Sequence, residues 1–142
     1  MGSKAAYIGD LDICFVGVGT TPGVVRSLVR FRLEGWGLHR VVDDVELVAG
    51  ELVANAVRSA PGRDIRVRLT RETGAVVLAV WDSSPEMPVM RPLNDIVPDE
   101  RALDPGYEDG GRGLHIVLAL ASRCGVAVGQ PSGKWVWARL PC

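Results

Sequence analysis

The sequence predicts an α+β fold: a two-layer sandwich with a mixed, mostly antiparallel sheet covered on one face by helices. Three observations predict it. Two amphipathic helical stretches occupy most of residues 20–59, and glycines at 35 and 37 separate them. Beyond Pro61-Gly62 the apolar period changes from helical to two. Short turns at 71–75 and around 131–133 join strands that must return antiparallel.

The elements follow in order. LDICFVG (11–17) alternates as a first strand. TTPGVVRSLVRFRLEGWG reads as a helix, with Thr20 or Thr21 as its cap, Pro22 in its first turn and Gly35 or Gly37 as its stop. Its apolar spacing runs through Val25, Leu28, Phe31 or Arg32, and Trp36, with arginines opposite. A second helix begins near Asp43-Asp44, whose carboxylates suit the positive end of a helix. It continues through Val45, Val48, Leu52 and Ala56 to Ser59.

DIRVRLT then places Ile65, Val67 and Leu69 on one strand face and Arg66 and Arg68 on the other. The arginine face reads as solvated, ahead of a nucleic-acid patch. RETGA turns the chain, and VVLAVWD (76–82) returns as a more continuously apolar strand. A stretch from about 83 to 111 holds five prolines, from Pro85 to Pro105, with little periodicity. Irregular segments of that length are uncommon inside domains and usually functional. GRGLHIVLALASRCG reads as the last helix, and VAVGQPSGKWVWARL closes the chain as a hairpin around Pro131-Ser132-Gly133. Residues 1–10 are expected to be a tag remnant or a disordered N-terminus, and 11–142 a single domain.

Composition narrows the function classes. With 47% hydrophobic and 23% charged residues, the chain is that of a globular protein with a substantial core. A net charge of −1 provides no general attraction to nucleic acid or anionic lipid. No apolar run reaches the roughly 20 residues that span a bilayer, and no signal peptide opens the chain. Cys14, Cys124 and Cys142 form no CxxC pair, which argues against a disulfide framework or zinc knuckle and fits a reducing cytoplasm.

Three stretches offer chemistry. In ELVANAVRSA (51–60), Glu51 and Asn55 lie one turn apart on the same face of an apolar helix. They are packing or capping groups, or a site in which Asn55 offers oxygen to Mg²⁺ and Glu51 orients or deprotonates a nucleophile. In VWDSSP, Asp82 ends a strand; it either forms an Asx-type turn or accepts a hydrogen bond from a ligand's exocyclic amine. In DGGRGLHIV, Gly110, Gly111 and Gly113 open a helix. They form a hinge or tight turn, or they admit phosphates to the free N–H groups of the helix start, with Arg112 beside them.

The order of these three motifs resembles the Bergerat-fold ATPases, the superfamily of gyrase, heat-shock chaperones, histidine kinases and a mismatch-repair ATPase. The resemblance extends from about residue 11 to 140 and rests on ELVANAV, GGRGLHIVLALASRCGV and GKWVWARL. Among its branches the chain is most similar to the small anti-sigma-factor serine kinases. That resemblance implies ATP and Mg²⁺ as cofactors, Asn55 as the Mg²⁺ ligand and Glu51 as general base. It implies Asp82 as acceptor for the adenine amine, and Gly111, Arg112, Gly113 and Leu114 along the phosphates. Residues 83–111 would then be an ATP lid.

The same resemblance implies a cytoplasmic homodimer that sequesters a sigma factor and phosphorylates a serine or threonine of a STAS-type anti-anti-sigma factor. It implies no direct contact with nucleic acid or membrane. The alternative is a protein-binding module that keeps the fold without phosphoryl transfer. The strand end motivates it: the motif reads Asp82-Ser83-Ser84-Pro85-Glu86 where the family carries D-x-G-x-G. A second departure, Ser59 where N-A-x-x-H carries histidine, argues against a catalytic role for that position.

Overall fold

A computed structural model describes residues 9–85 and 110–142. The chain runs β1 (Leu11–Val16), α1 (Thr21–Gly35), a 3₁₀ turn (His39–Val41), α2 (Val42–Ser59), β2 (Asp64–Glu72), β3 (Ala75–Asp82), α3 (Gly110–Leu120), β4 (Arg123–Val128) and β5 (Lys134–Pro141). The five strands lie in the order β1-β2-β3-β5-β4. All four pairings are antiparallel, which narrows the mixed sheet expected from the sequence. Part of the expected lid, 86–109, and residues 1–8 lie outside the described residues.

Strand alternation sorts the sheet into two faces. Ile65, Val67 and Leu69 of β2, Val76, Leu78 and Val80 of β3, and Val136, Ala138 and Leu140 of β5 are buried under the helices. Helix α2 is the central element of that layer. It packs against α1, α3, β2, β3 and β5, so it buries a wide face: Val45, Val48, Ala49, Leu52, Val53 and Ala56. Asp43 and Asp44 lie in its first turn, as the sequence suggests.

Helix α1 departs from the sequence reading in two respects. Its buried stripe is Val25, Val29, Leu33 and Trp36, while Leu28 is only half-buried and Phe31 is 76% exposed. The main contact of α1 is with α2, and a row of residues four apart forms the ridge that enters a neighbouring helix's groove. That row rotates the buried face away from Phe31. Neither threonine caps the helix by its side chain. Instead the Thr21 hydroxyl donates to the Val16 carbonyl at 2.6 Å and accepts from the Val18 N–H at 3.1 Å, which ties the helix start to the end of β1.

The end of α1 follows its glycine signal. Gly37 has φ of +76°, and the N–H groups of Gly37 and Leu38 bond to the Glu34 and Leu33 carbonyls at 3.0 and 2.9 Å. That is the paired closure of a Schellman motif. Helix α3 begins at Gly110, inside the glycine run, and stops at Leu120, so Arg123-Cys124-Gly125 already belongs to β4. The Ser122 N–H donates to the Arg139 carbonyl at 2.8 Å and redirects the chain from helix to sheet edge.

Candidate functional site

Topology brings the first two motifs to the same end of the sheet. Helix α2 hands over to β2 through a short turn at 60–63, and Ile65 near the start of β2 is in register with Asp82 at the end of β3. Across the other side of β3, Asp82 is in register with Lys134, the first residue of β5. The C-terminal half of α2, which carries Glu51 and Asn55, therefore leads into the end of the sheet that holds Asp82 and Lys134. Helix α3 packs beside α2 and brings the third motif into the same layer.

Asn55 is only 8% exposed, and its Nδ2 is buried without a hydrogen-bond partner among the described residues. Glu51, one turn earlier, is half-buried. Asp82 is fully buried at the strand end. Its Oδ1 accepts twice at 2.8 Å, from the Ser84 N–H and from the Lys134 ammonium. Its Oδ2 is buried and accepts from no donor among the described residues. The contact with Ser84 is the Asx-type turn, made by one oxygen; the other oxygen has no partner among the described residues.

Lys134 is absent from the set of residues read from the sequence. Its ammonium is 1% exposed, pairs with Asp82 and reaches the Ser84 carbonyl at 3.5 Å. The signal was available in the strand period: Lys134 shares parity with the inward-facing Val136, Ala138 and Leu140. A lysine at a core position requires a partner, and an apolar strand ending in aspartate supplies it.

Gly111, Arg112 and Gly113 form the first turn of α3, where backbone N–H groups have no partner within the helix. Leu114 follows them, and its side chain belongs to the main core with Leu52, Val53 and Ala56. Any part it has beside a phosphate must therefore be played by its backbone. Ser59 closes α2.

The donor set fits the cofactors. A carboxamide that is buried with an unpartnered end can turn its oxygen toward a hard cation, and Mg²⁺ takes its remaining ligands from phosphates and water. Among the described residues, no group of three or more His, Cys, Asp or Glu could hold a metal by itself. An orphaned carboxylate oxygen at the strand end is an acceptor for an amine.

The opposite sheet face differs. Asp12, Arg66 and Arg68 lie there, and the Asp12 carboxylate accepts from Arg66 Nε and Nη2 at 2.7 and 2.8 Å. Arg68 lies 3.4 Å from Asp12 and sits over the Trp135 ring at 4.7 Å. These contacts, the Arg66 hydrogen bond first, hold the Asp12 carboxyl below the usual carboxylate range. A groove of about 530 Å³ runs past Cys14, Arg66, Arg68, Trp81 and Trp135. Trp81 Nε1 donates to the Ser132 carbonyl at 3.0 Å.

A family model described as Histidine kinase-like ATPase domain matches residues 20–140. No curated protein matches the chain. Within the described residues, no helix is long and apolar enough to cross a membrane.

Proposed function

The chain belongs to the histidine kinase-like ATPase family, and on that premise we propose an ATP-binding anti-sigma factor that phosphorylates a serine or threonine of a STAS-type antagonist. One observation carries the nucleotide part: Asn55 Nδ2 and Asp82 Oδ2 are the buried side-chain atoms left without partners among the described residues. Leaving such an atom unpaired costs about 1–3 kcal/mol; an amine would satisfy Asp82 Oδ2, and the Asn55 amide would turn its oxygen toward a cation. They also lie in two of the motifs that carry the family resemblance. The anti-sigma part rests on the resemblance, among the branches of that superfamily, to the small single-domain serine kinases. A homodimer acting in the cytoplasm belongs to the same reading.

Phosphoryl transfer is mostly positioning and charge neutralisation. Asn55 would hold Mg²⁺, and the charge neutralisation on the phosphates would be its contribution. Glu51 projects from the same helix face one turn away and would take the proton from the attacking hydroxyl as the new oxygen–phosphorus bond forms, the bond from the γ-phosphorus to the β,γ-bridging oxygen breaks and ADP leaves. The first-turn N–H groups of α3 and the Arg112 guanidinium bind phosphate oxygens. Asp82 Oδ2 accepts from the adenine amine.

A second reading, a binding module without catalysis, is favoured by the missing strand-end glycines and by Lys134, which occupies one oxygen of Asp82. Calorimetric titration with Mg-ATP and Mg-ADP separates the two. The expected result is binding to the wild type and none to Asn55→Ala, whose circular dichroism stays native. Glu51→Ala should keep the nucleotide and lose transfer to a STAS substrate. A wild type that binds neither nucleotide gives the lead to the module.

A further inference from the structure

Resting on the nucleotide reading, we propose that Lys134 is a second base-reading residue: it anchors Asp82 and donates a hydrogen bond to the ring nitrogen N1 beside the adenine amine. The ammonium has three N–H donors. One goes to Asp82 Oδ1 at 2.8 Å and another reaches the Ser84 carbonyl at 3.5 Å. The third has no acceptor among the described residues. Directly beside it, Asp82 Oδ2 has no donor. The pair therefore presents one free acceptor and one free donor side by side, both within the buried end of the sheet.

An amine next to a ring nitrogen is the complement of that pair. Adenine carries it, with N6–H donating and N1 accepting, so two contacts read the base where Asp82 alone would read only the amine. The cross-strand register fixes their spacing, because Asp82 and Lys134 face each other directly on β3 and β5. The Ser84 N–H fixes the carboxylate further by holding Oδ1 from a second direction at 2.8 Å. Oδ2 is thereby the oxygen left to meet the amine. A carboxylate with two free oxygens could rotate to accept from many donors; this one cannot.

The test compares ATP with 1-deaza-ATP, which keeps the amine and lacks the N1 acceptor. Mg²⁺ is present throughout, and the protein is the full chain. Wild type should bind 1-deaza-ATP about 10-fold or more weakly than ATP, the worth of a hydrogen bond from a charged donor. In Lys134→Met that ratio should fall to about one, whatever happens to absolute affinity. A lysine with a purely structural role would weaken both ligands alike and leave the ratio intact.

If Lys134→Met does not fold, Asp82→Asn/Lys134→Met removes both buried charges together, and the same ratio near one is expected. Wild type that binds the two nucleotides equally overturns the assignment, as does a ratio that survives either substitution. Wild type that binds no ATP at all overturns the nucleotide reading, and the assignment with it.

Discussion

Two polar clusters stand on opposite faces of the same sheet, and they are completed differently. On the helix-free face Asp12 meets Arg66 through both oxygens, Arg68 closes on Asp12, and the Arg68 guanidinium also covers the Trp135 ring. All of it is within reach of water. On the helix-covered face Asp82 and Lys134 form an ion pair that is 1% exposed at each side chain, yet Asp82 Oδ2 and the nearby motif's Asn55 Nδ2 remain unpaired. The exposed cluster satisfies itself where mistakes are cheap. The buried one leaves atoms unsatisfied where this is expensive. That difference in completion is what the proposed ligand site rests on.

That contrast is open to attack in order of expected effect. Asp82→Ala should be the most damaging, since it strands the Lys134 ammonium in the core. Breaking a buried pair from one side costs about 3–5 kcal/mol, measurable as a lower urea midpoint. A loss near that of a surface pair would mean that water reaches Lys134 and that the two clusters are alike.

Gly133→Ala should come next. Gly133 has φ of +79°, and a Cβ there would lie 2.3 Å from the Asp82 carbonyl oxygen. A strained backbone position of this kind costs about 1–3 kcal/mol. The displacement would also shift Asp82 against Lys134, so ATP affinity should fall along with thermal stability. Unchanged ATP affinity in a destabilised Gly133→Ala would show that the ion pair tolerates movement of its strand.

The smallest effect should come from Asp12→Ala, because its partners are exposed and screened. Its sign with pH is fixed. The folded-state pKa of Asp12 lies below the ordinary value, so its contribution is present above the unfolded pKa. It is lost as pH falls through the lowered folded value. Thermal melts of wild type and variant should therefore differ slightly at neutral pH and low salt. They should converge in acid and in high salt. A large, salt-independent loss would make the exposed cluster a structural equal of the buried one.

Much of the molecule was legible because alternation is a local property. DIRVRLT placed its arginines outward from the period alone, and the pairing with Asp12 follows from the register of β1 on β2. Glu51, Asn55 and Asp82 were legible as chemistry because each is a polar residue set in an apolar element. Other features depend on neighbours that a local pattern does not contain. The buried stripe of α1 is set by α2, which is why Phe31 lies outside it. The boundary between α3 and β4 falls inside HIVLALASRCGVAV, an almost unbroken apolar stretch with no proline to mark it. Lys134 was visible only as a parity exception, and its meaning required knowing that β5 lies against β3.

The sheet is one residue thick, so Asp82 and Lys134 each have an aromatic neighbour in sequence that points the other way. Trp81 precedes Asp82, Trp135 follows Lys134, and the two indoles are themselves register partners. The proposed nucleotide site would thus carry a built-in optical gauge on its reverse side. Trp81 is tethered to the Ser132 carbonyl in the turn that delivers Lys134. If nucleotide binding displaces that turn, the contact would carry the change to Trp81, and intrinsic fluorescence on titration with Mg-ATP is the measurement that checks it.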